Sequence, residues 1–157
     1  MPKIEIDAIK LRTGSSYPGD VAGPVESRQQ KSLGDAAGLT QFGANLVILK
    51  PGALSSLRHW HEKQDEFMVV TAGTCTLIDD HGETILTQGD CAAFPAGDPN
   101  GHHIVNQTDS EARFVVVGTR TTTEVCRYSD FDMMVTDTNV GSTFTRKDGT
   151  PYEGEET

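Results

Sequence analysis

The hydrophobic residues of this chain fall in short runs separated by glycine, proline and aspartate, with no long stretch of helical period. Phe42-Gly43-Ala44-Asn45-Leu46-Val47-Ile48-Leu49 reads as a strand that ends at Pro51-Gly52. In Glu66-Phe67-Met68-Val69-Val70 the even positions share one face, so Glu66, Met68 and Val70 point the same way. Thr74-Cys75-Thr76-Leu77-Ile78 reaches the turn Asp79-Asp80-His81-Gly82, and Glu83-Thr84-Ile85-Leu86 returns from it, which predicts a hairpin. Further strands are expected at Cys91 to Phe94, at His103 to Asn106 and in the apolar run Phe114-Val115-Val116-Val117-Gly118. Phe131-Asp132-Met133-Met134-Val135 alternates as an edge strand would. Strands this short and this closely spaced predict an all-β sandwich or barrel.

The same pattern organises the chain as one domain: an amino-terminal arm over residues 1–40, a barrel core over 41–119, and a strand and tail over 120–157 that pack on the barrel or on a partner. The arm is rich in Gly, Ser and Pro between Thr13 and Pro24, and Glu153 to Thr157 is expected to be disordered. At 157 residues and 36% hydrophobic, the chain is long enough to bury a core without staples. Thirteen basic residues against 23 acidic ones give a net charge of −10. That charge repels nucleic acid and anionic membrane surfaces, and no basic patch reverses it, so neither is expected as a partner. No apolar run approaches the ~18 residues of a membrane helix. Met1-Pro2-Lys3-Ile4-Glu5-Ile6-Asp7 alternates charge with hydrophobe rather than resembling a secretion signal, and a cytoplasmic location is expected. The three cysteines, Cys75, Cys91 and Cys126, are odd in number and include no C-x-x-C pair. Cys75 and Cys91 sit in strand-like surroundings and are expected to be buried thiols.

Two strings carry the candidate chemistry: His59-Trp60-His61 followed by Glu66 and Gly73, and Pro95-Ala96-Gly97 followed by His102 and Asn106. A His-x-His pair on a strand puts both rings on one face, about 6.6 Å apart at roughly 3.3 Å rise per residue, whereas on a helix the pair would diverge. Trp60 then has the opposite parity and packs outside the barrel interior. Four residues separate His61 from Glu66, enough for a turn before a strand that carries Glu66 inward. His102 shares its parity with Ile104 and Asn106 and also reads as inward-facing. Three imidazoles and one carboxylate form a donor set for one divalent transition metal, and four ligands from three segments need a barrel interior in which to converge.

These strings resemble the two conserved motifs of the cupin superfamily. Pro51-Gly52, His59, His61, Glu66 and Gly73 stand in the places of the first motif, and Gly89, Pro95, Gly97, His102 and Asn106 in those of the second. Six residues rather than five lie between Gly52 and His59, and four rather than two between Gly97 and His102. The second departure makes His103 a rival to His102, and the offset to Asn106 favours His102. The stretch from Leu33 to Thr40, Phe42-Gly43, Arg58-His59-Trp60-His61, Pro99-Asn100-Gly101-His102-His103 and Thr145 to Tyr152 are similar to small bacterial single-domain cupins, some of which carry the label sugar-phosphate isomerase. The resemblance implies a double-stranded β-helix, or jelly roll, with Fe, Mn, Ni or Zn held by His59, His61, Glu66 and His102.

In an octahedral site these four ligands would leave two positions for a small polar molecule such as a sugar derivative or an oxoacid. An isomerase, a lyase or a non-haem dioxygenase is then expected, and the alternative is a cupin that binds a small molecule for sensing or storage without turnover. The candidate bases are His103 and Asp98, and the candidate substrate contacts are Arg58, Lys63, Gln64, Asp98, Asn100 and Arg120. His81, in a hairpin turn, is expected only to be solvated. Exposed edge strands favour pairing with a second chain, so a two-fold homodimer is expected, with the arm or the Phe131 segment crossing to the partner.

Overall fold

The computed structural model describes residues 3–152, apart from the side chain of Asp20. The expected disorder of Glu153 to Thr157 lies outside the described residues. Among the described residues thirteen strands follow one another with one short α-helix and three single-turn 3-10 helices in the arm: β1 (Arg12–Thr13), β2 (Gln29–Ser32), α1 (Leu33–Ala36), β3 (Phe42–Leu49), β4 (His59–His61), β5 (Glu66–Ala72), β6 (Thr74–Asp79), β7 (Gly82–Thr87), β8 (Cys91–Phe94), β9 (His103–Val105), β10 (Ala112–Thr119), β11 (Thr123–Tyr128), β12 (Met134–Thr138) and β13 (Gly141–Thr145). Among the described residues no helix is long and apolar enough to cross a membrane.

One sheet has six strands in the order β1-β2-β3-β10-β5-β8, and every ladder in it is antiparallel. The facing layer consists of a three-stranded sheet, β7-β6-β9, and a four-stranded sheet, β13-β12-β11-β4. Bridges Leu54↔Val105 and His59↔His102 join the two along the line from β9 to β4. The His59 N–H donates to the His102 carbonyl at 3.1 Å, and the His102 N–H returns the bond at 2.9 Å. Two antiparallel layers curled over one interior make the double-stranded β-helix of a jelly roll.

The interior has two apolar ends. Val47, Leu49, Met68, Val70, Cys75, Ile104 and Phe114 belong to one cluster, and Val25, Leu57, Cys126, Tyr128, Met133 and Val135 to the other. Alternation produces the first cluster: in β5, Met68 and Val70 are buried while Phe67 is exposed. Gly73 alone connects β5 to β6, at φ +74°, and a Cβ there would stand 2.5 Å from the Glu111 carbonyl oxygen. Only glycine combines that backbone conformation with so close an approach.

The flanking segments are woven into the same domain. The arm supplies β1 and β2, and β2 pairs with β3 of its own chain. Residues beyond 119 supply β11, β12 and β13, which extend the second layer from β4. The strand expected at Phe131 to Val135 instead runs Met134–Thr138 and is internal, flanked by β11 and β13, because the chain is still turning at Ser129 to Asp132. Cys75 is buried as expected, with burial raising its thiol to about 11. Cys91 is exposed, because it opens β8 at the rim of the sheet, directly after the Gly89-Asp90 turn.

Candidate metal centre

β4, β5 and the residue just before β9 carry the four candidate ligands to one wall of a cavity of about 300 Å³ lying between the two apolar clusters. His59 and His61 sit on β4 with ring centroids 5.0 Å apart, and His59 is also 5.0 Å from the His102 ring. His102 Nε2 donates to Glu66 Oε2 at 2.9 Å. The ligand atoms of His59, Glu66 and His102 lie within 4.8 Å of one another, and so do those of His59, His61 and Cys126. His59 is common to both groups, and His61 falls with Cys126 rather than with Glu66 and His102, so the structure brings three of the four candidates into one group and sets His61 beside it.

Local contacts set how the donors face. His59 Nδ1 donates to the Leu57 carbonyl at 2.8 Å. A carbonyl can only accept, so the proton sits on Nδ1 and the Nε2 lone pair is free for a cation. The His102 ring lies flat on Phe94, with centroids 3.4 Å apart and planes 2° from parallel. Glu124, almost fully buried, accepts the N–H groups of Glu62, Lys63 and Val125 and places a carboxylate oxygen 3.9 Å from His61 Nδ1. It thereby holds the loop between two ligand-bearing strands.

The electrostatics suit a cation. Burial, reinforced by the neighbouring His102 and His61, lowers the His59 imidazole to about 3, so it is neutral and able to ligate at neutral pH. Burial works to raise the Glu66 carboxyl, but the hydrogen bond from His102 and the three imidazoles outweigh it and bring the group down to about 2. A carboxylate anion and three imidazoles, one with its tautomer fixed, fit a divalent transition metal.

The rest of the cavity wall was not legible in the sequence. β11 pairs with β4 so that Cys126 stands opposite His61 and Tyr128 opposite His59. Burial pushes the thiol of Cys126 and the phenol of Tyr128 upward, so both stay protonated in the structure described. Tyr17, from the arm, packs edge-on against Tyr128 with centroids 5.4 Å apart, and its hydroxyl accepts the Leu57 N–H at 3.3 Å. Arg28, also from the arm, lines the same cavity. The arm therefore forms part of the cavity wall. An inward face of Glu124, Cys126 and Tyr128 is not an aliphatic alternation, which is why β11 has no clear signature in the sequence.

The remaining sequence candidates lie outside the lining of this cavity, and several border neighbouring hollows that share its ligand-bearing residues. His103 turns away from the cavity and donates from Nδ1 to the Ser56 carbonyl at 3.1 Å. Asp98 accepts the Asn100 N–H at 3.1 Å, and both line a second hollow together with Trp60, Pro95, His61 and His102. Asn100 also donates to Asp79 Oδ2 at 3.1 Å. Arg58 is held by Asp80 and Asp130. Lys63 Nζ donates to Thr123 at 2.7 Å. Gln64 and Arg120 border a depression that shares His61 and Glu66 with the main cavity; Gln64 donates to Thr121 and Arg120 pairs with Asp35. Trp60 faces outward beneath Arg127, whose guanidinium carbon is 5.9 Å from the indole centroid, and His81 is exposed in its turn.

A sequence profile described as the Cupin domain matches residues 45–118. A crystal structure from Silicibacter pomeroyi, named a sugar phosphate isomerase from a cupin superfamily, is 57% identical to this chain and superposes with a TM-score of 0.95, over 98% of each chain. A provisionally named sugar phosphate isomerase from Acidithiobacillus ferrooxidans is 26% identical, with a TM-score of 0.79 over 94% of this chain and 92% of that one. A polyketide cyclase from Streptomyces resistomycificus, 20% identical over 76% of this chain and 79% of its own, shares the fold, with a TM-score of 0.63. No curated protein matches the chain.

Proposed function

The chain belongs to the cupin superfamily, and from that premise we propose that it is a metal-dependent enzyme acting on a small polar organic molecule, of the isomerase or lyase type. The observation that carries this reading is the placement of three imidazoles and one carboxylate on the wall of a cavity with room beside them for a second molecule. The name of the Silicibacter pomeroyi relative supports the isomerase class. When bound, a divalent metal would supply Lewis-acid polarisation of a carbonyl or hydroxyl oxygen.

The other roles fall to this chain. His59, His61, Glu66 and His102 would hold the cation, and the Nδ1–H of His59 fixes its ring against Leu57. Tyr17 and Tyr128 supply uncharged hydroxyl donors at the cavity wall, and Met68, Ile104, Phe114 and Val116 keep water from the reacting end. Iron as the native metal would move the reading to the dioxygenase class; zinc, nickel or manganese would keep it with the isomerases and lyases. A binding cupin without turnover is the second reading, and it draws on the position of His103 and Asp98, the two candidate bases, outside the cavity lining.

The test is a turnover screen by NMR of small aldose and ketose phosphates and oxoacids, run with metal-loaded and chelator-treated protein. The expected result is conversion that disappears on metal removal, returns on reloading and drops at least about 100-fold in Glu66→Gln. Conversion that persists in fully demetallated protein would contradict the enzyme reading.

A further inference from the structure

Arg28 stands within the arm, immediately before β2, and lines the cavity that holds the four candidate ligands. It is the only lysine or arginine lining that cavity among the described residues. Its situation differs from that of the other arginines. Arg58, Arg113, Arg120, Arg127 and Arg146 each reach a carboxylate, and Arg12 is exposed. Arg28 is half-buried and has no carboxylate partner among the described residues.

The side chain is nonetheless held in place. Its Nη2 donates to Gln30 Oε1, and Gln30 Nε2 donates in turn to Asn45 Oδ1 at 2.9 Å. This relay ties the guanidinium to β2 and β3 through neutral amides only. Arg28 Nε is buried with no hydrogen-bond partner among the described residues. A guanidinium carries five N–H donors in a planar fork, and taking it out of water without an anion is costly. Burial lowers the group's basicity, while Tyr17 and Glu66 pull it back up, Glu66 being the carboxylate on the ligand-bearing wall. The positioned fork thus lacks one thing, a planar or tetrahedral oxyanion, and the free space beside it is the cavity.

We propose that Arg28 is the anion anchor of this cavity: it holds a carboxylate or phosphate of a small substrate whose other end reaches the His59, His61, Glu66 and His102 wall. This rests on the reading of the cavity as a metal-dependent small-molecule site, and it narrows the substrate class to organic anions with two polar ends. A volume of about 300 Å³ admits a molecule of roughly ten non-hydrogen atoms, taking the space of a water, about 30 Å³, for each. A bound divalent cation beside Arg28 would leave the cavity positive despite Glu66 and Asp137, which also favours an anion.

The experiment is isothermal titration of metal-loaded wild type, Arg28→Met and Arg28→Lys with three probes: glycolate, with one carboxylate; succinate, with two; and phosphoglycolate, with a carboxylate and a phosphate. One group of each probe serves the metal wall, and only the last two probes have a second anion for Arg28. Wild type is expected to bind succinate or phosphoglycolate at least about tenfold more tightly than glycolate, the scale of one charge-assisted hydrogen-bond pair. Arg28→Met removes that preference and leaves glycolate affinity and metal content unchanged. Arg28→Lys, which keeps the charge but not the fork, retains part of it. Whichever of the two larger probes gains more identifies the anion as carboxylate or phosphate.

The proposal is overturned if wild type shows no preference over glycolate, or if folded Arg28→Met or Arg28→Lys keeps the full preference. Metal content is measured on every sample, and the titration is repeated after chelation. A loss of metal without loss of the Arg28-dependent difference faults the metal reading alone, and the converse faults the anchor alone.

Discussion

His59 illustrates how one side chain is prepared by its surroundings. Its Nδ1 proton is committed to Leu57, its ring is packed beside two further imidazoles, and burial keeps it neutral. The consequence for stability has a definite sign. In the unfolded chain the imidazole takes up its proton near 6.5, and in the fold only near 3. Between those values the unfolded chain binds more protons, so stability rises with pH and falls on acidification. Glu66, lowered from 4.5 to about 2, contributes stability that is complete above 4.5 and lost as pH falls towards 2. Chelator-treated protein should therefore melt at progressively lower temperature from about pH 6.5 downward, as followed by circular dichroism. His59→Gln should flatten the fall between pH 6.5 and 4.5; a variant that falls as steeply as wild type contradicts the environment described for His59. Period two and motif spacing made His59, His61, Glu66 and His102 legible as one inward-facing group. Arg28 and Tyr17 were not legible, since their positions depend on how the arm folds back, and no local pattern encodes that return.

At the scale of elements, Asn106 does the joining. Fully buried just beyond β9, it donates from Nδ2 to the Leu49 carbonyl at the end of β3, at 2.8 Å, and to the Ser110 carbonyl at 2.7 Å. Its Oδ1 accepts from the Thr108 N–H and hydroxyl. One amide thus satisfies both ends of the turn leading into β10. Asn106→Ala would leave the buried Leu49 carbonyl without this donor, while the Ser110 carbonyl keeps the Thr108 hydroxyl, a cost of about 2 kcal/mol that lowers the melting temperature by roughly 6 °C. Calorimetry checks this, and a drop below about 2 °C would show that water replaces the amide without penalty. Elements bounded by turn residues and aliphatic alternation, such as β3 and the β6–β7 hairpin, were readable in advance. β11 and β13 were not: β11 turns Glu124 inward, where that carboxylate caps three N–H groups, and β13 is mostly serine and threonine. Their place follows from pairing with β4 and β12, which is tertiary information.

At the scale of the whole molecule, two apolar clusters close the ends of a double-layered barrel and leave between them a cavity with both apolar and polar lining. The strands bring three imidazoles and a carboxylate from distant segments to one wall, and the arm brings a guanidinium to the same cavity. The central claim is that His59, His61, Glu66 and His102 hold one divalent transition metal. Its most direct test is metal analysis by mass spectrometry of untagged protein purified anaerobically without added metal, beside a Glu66→Ala/His102→Ala double variant. The account predicts about one equivalent of iron, manganese, nickel or zinc in the wild type and a loss of most of it in the folded double variant. Folded wild-type protein that carries no metal and takes none up on reconstitution would contradict it.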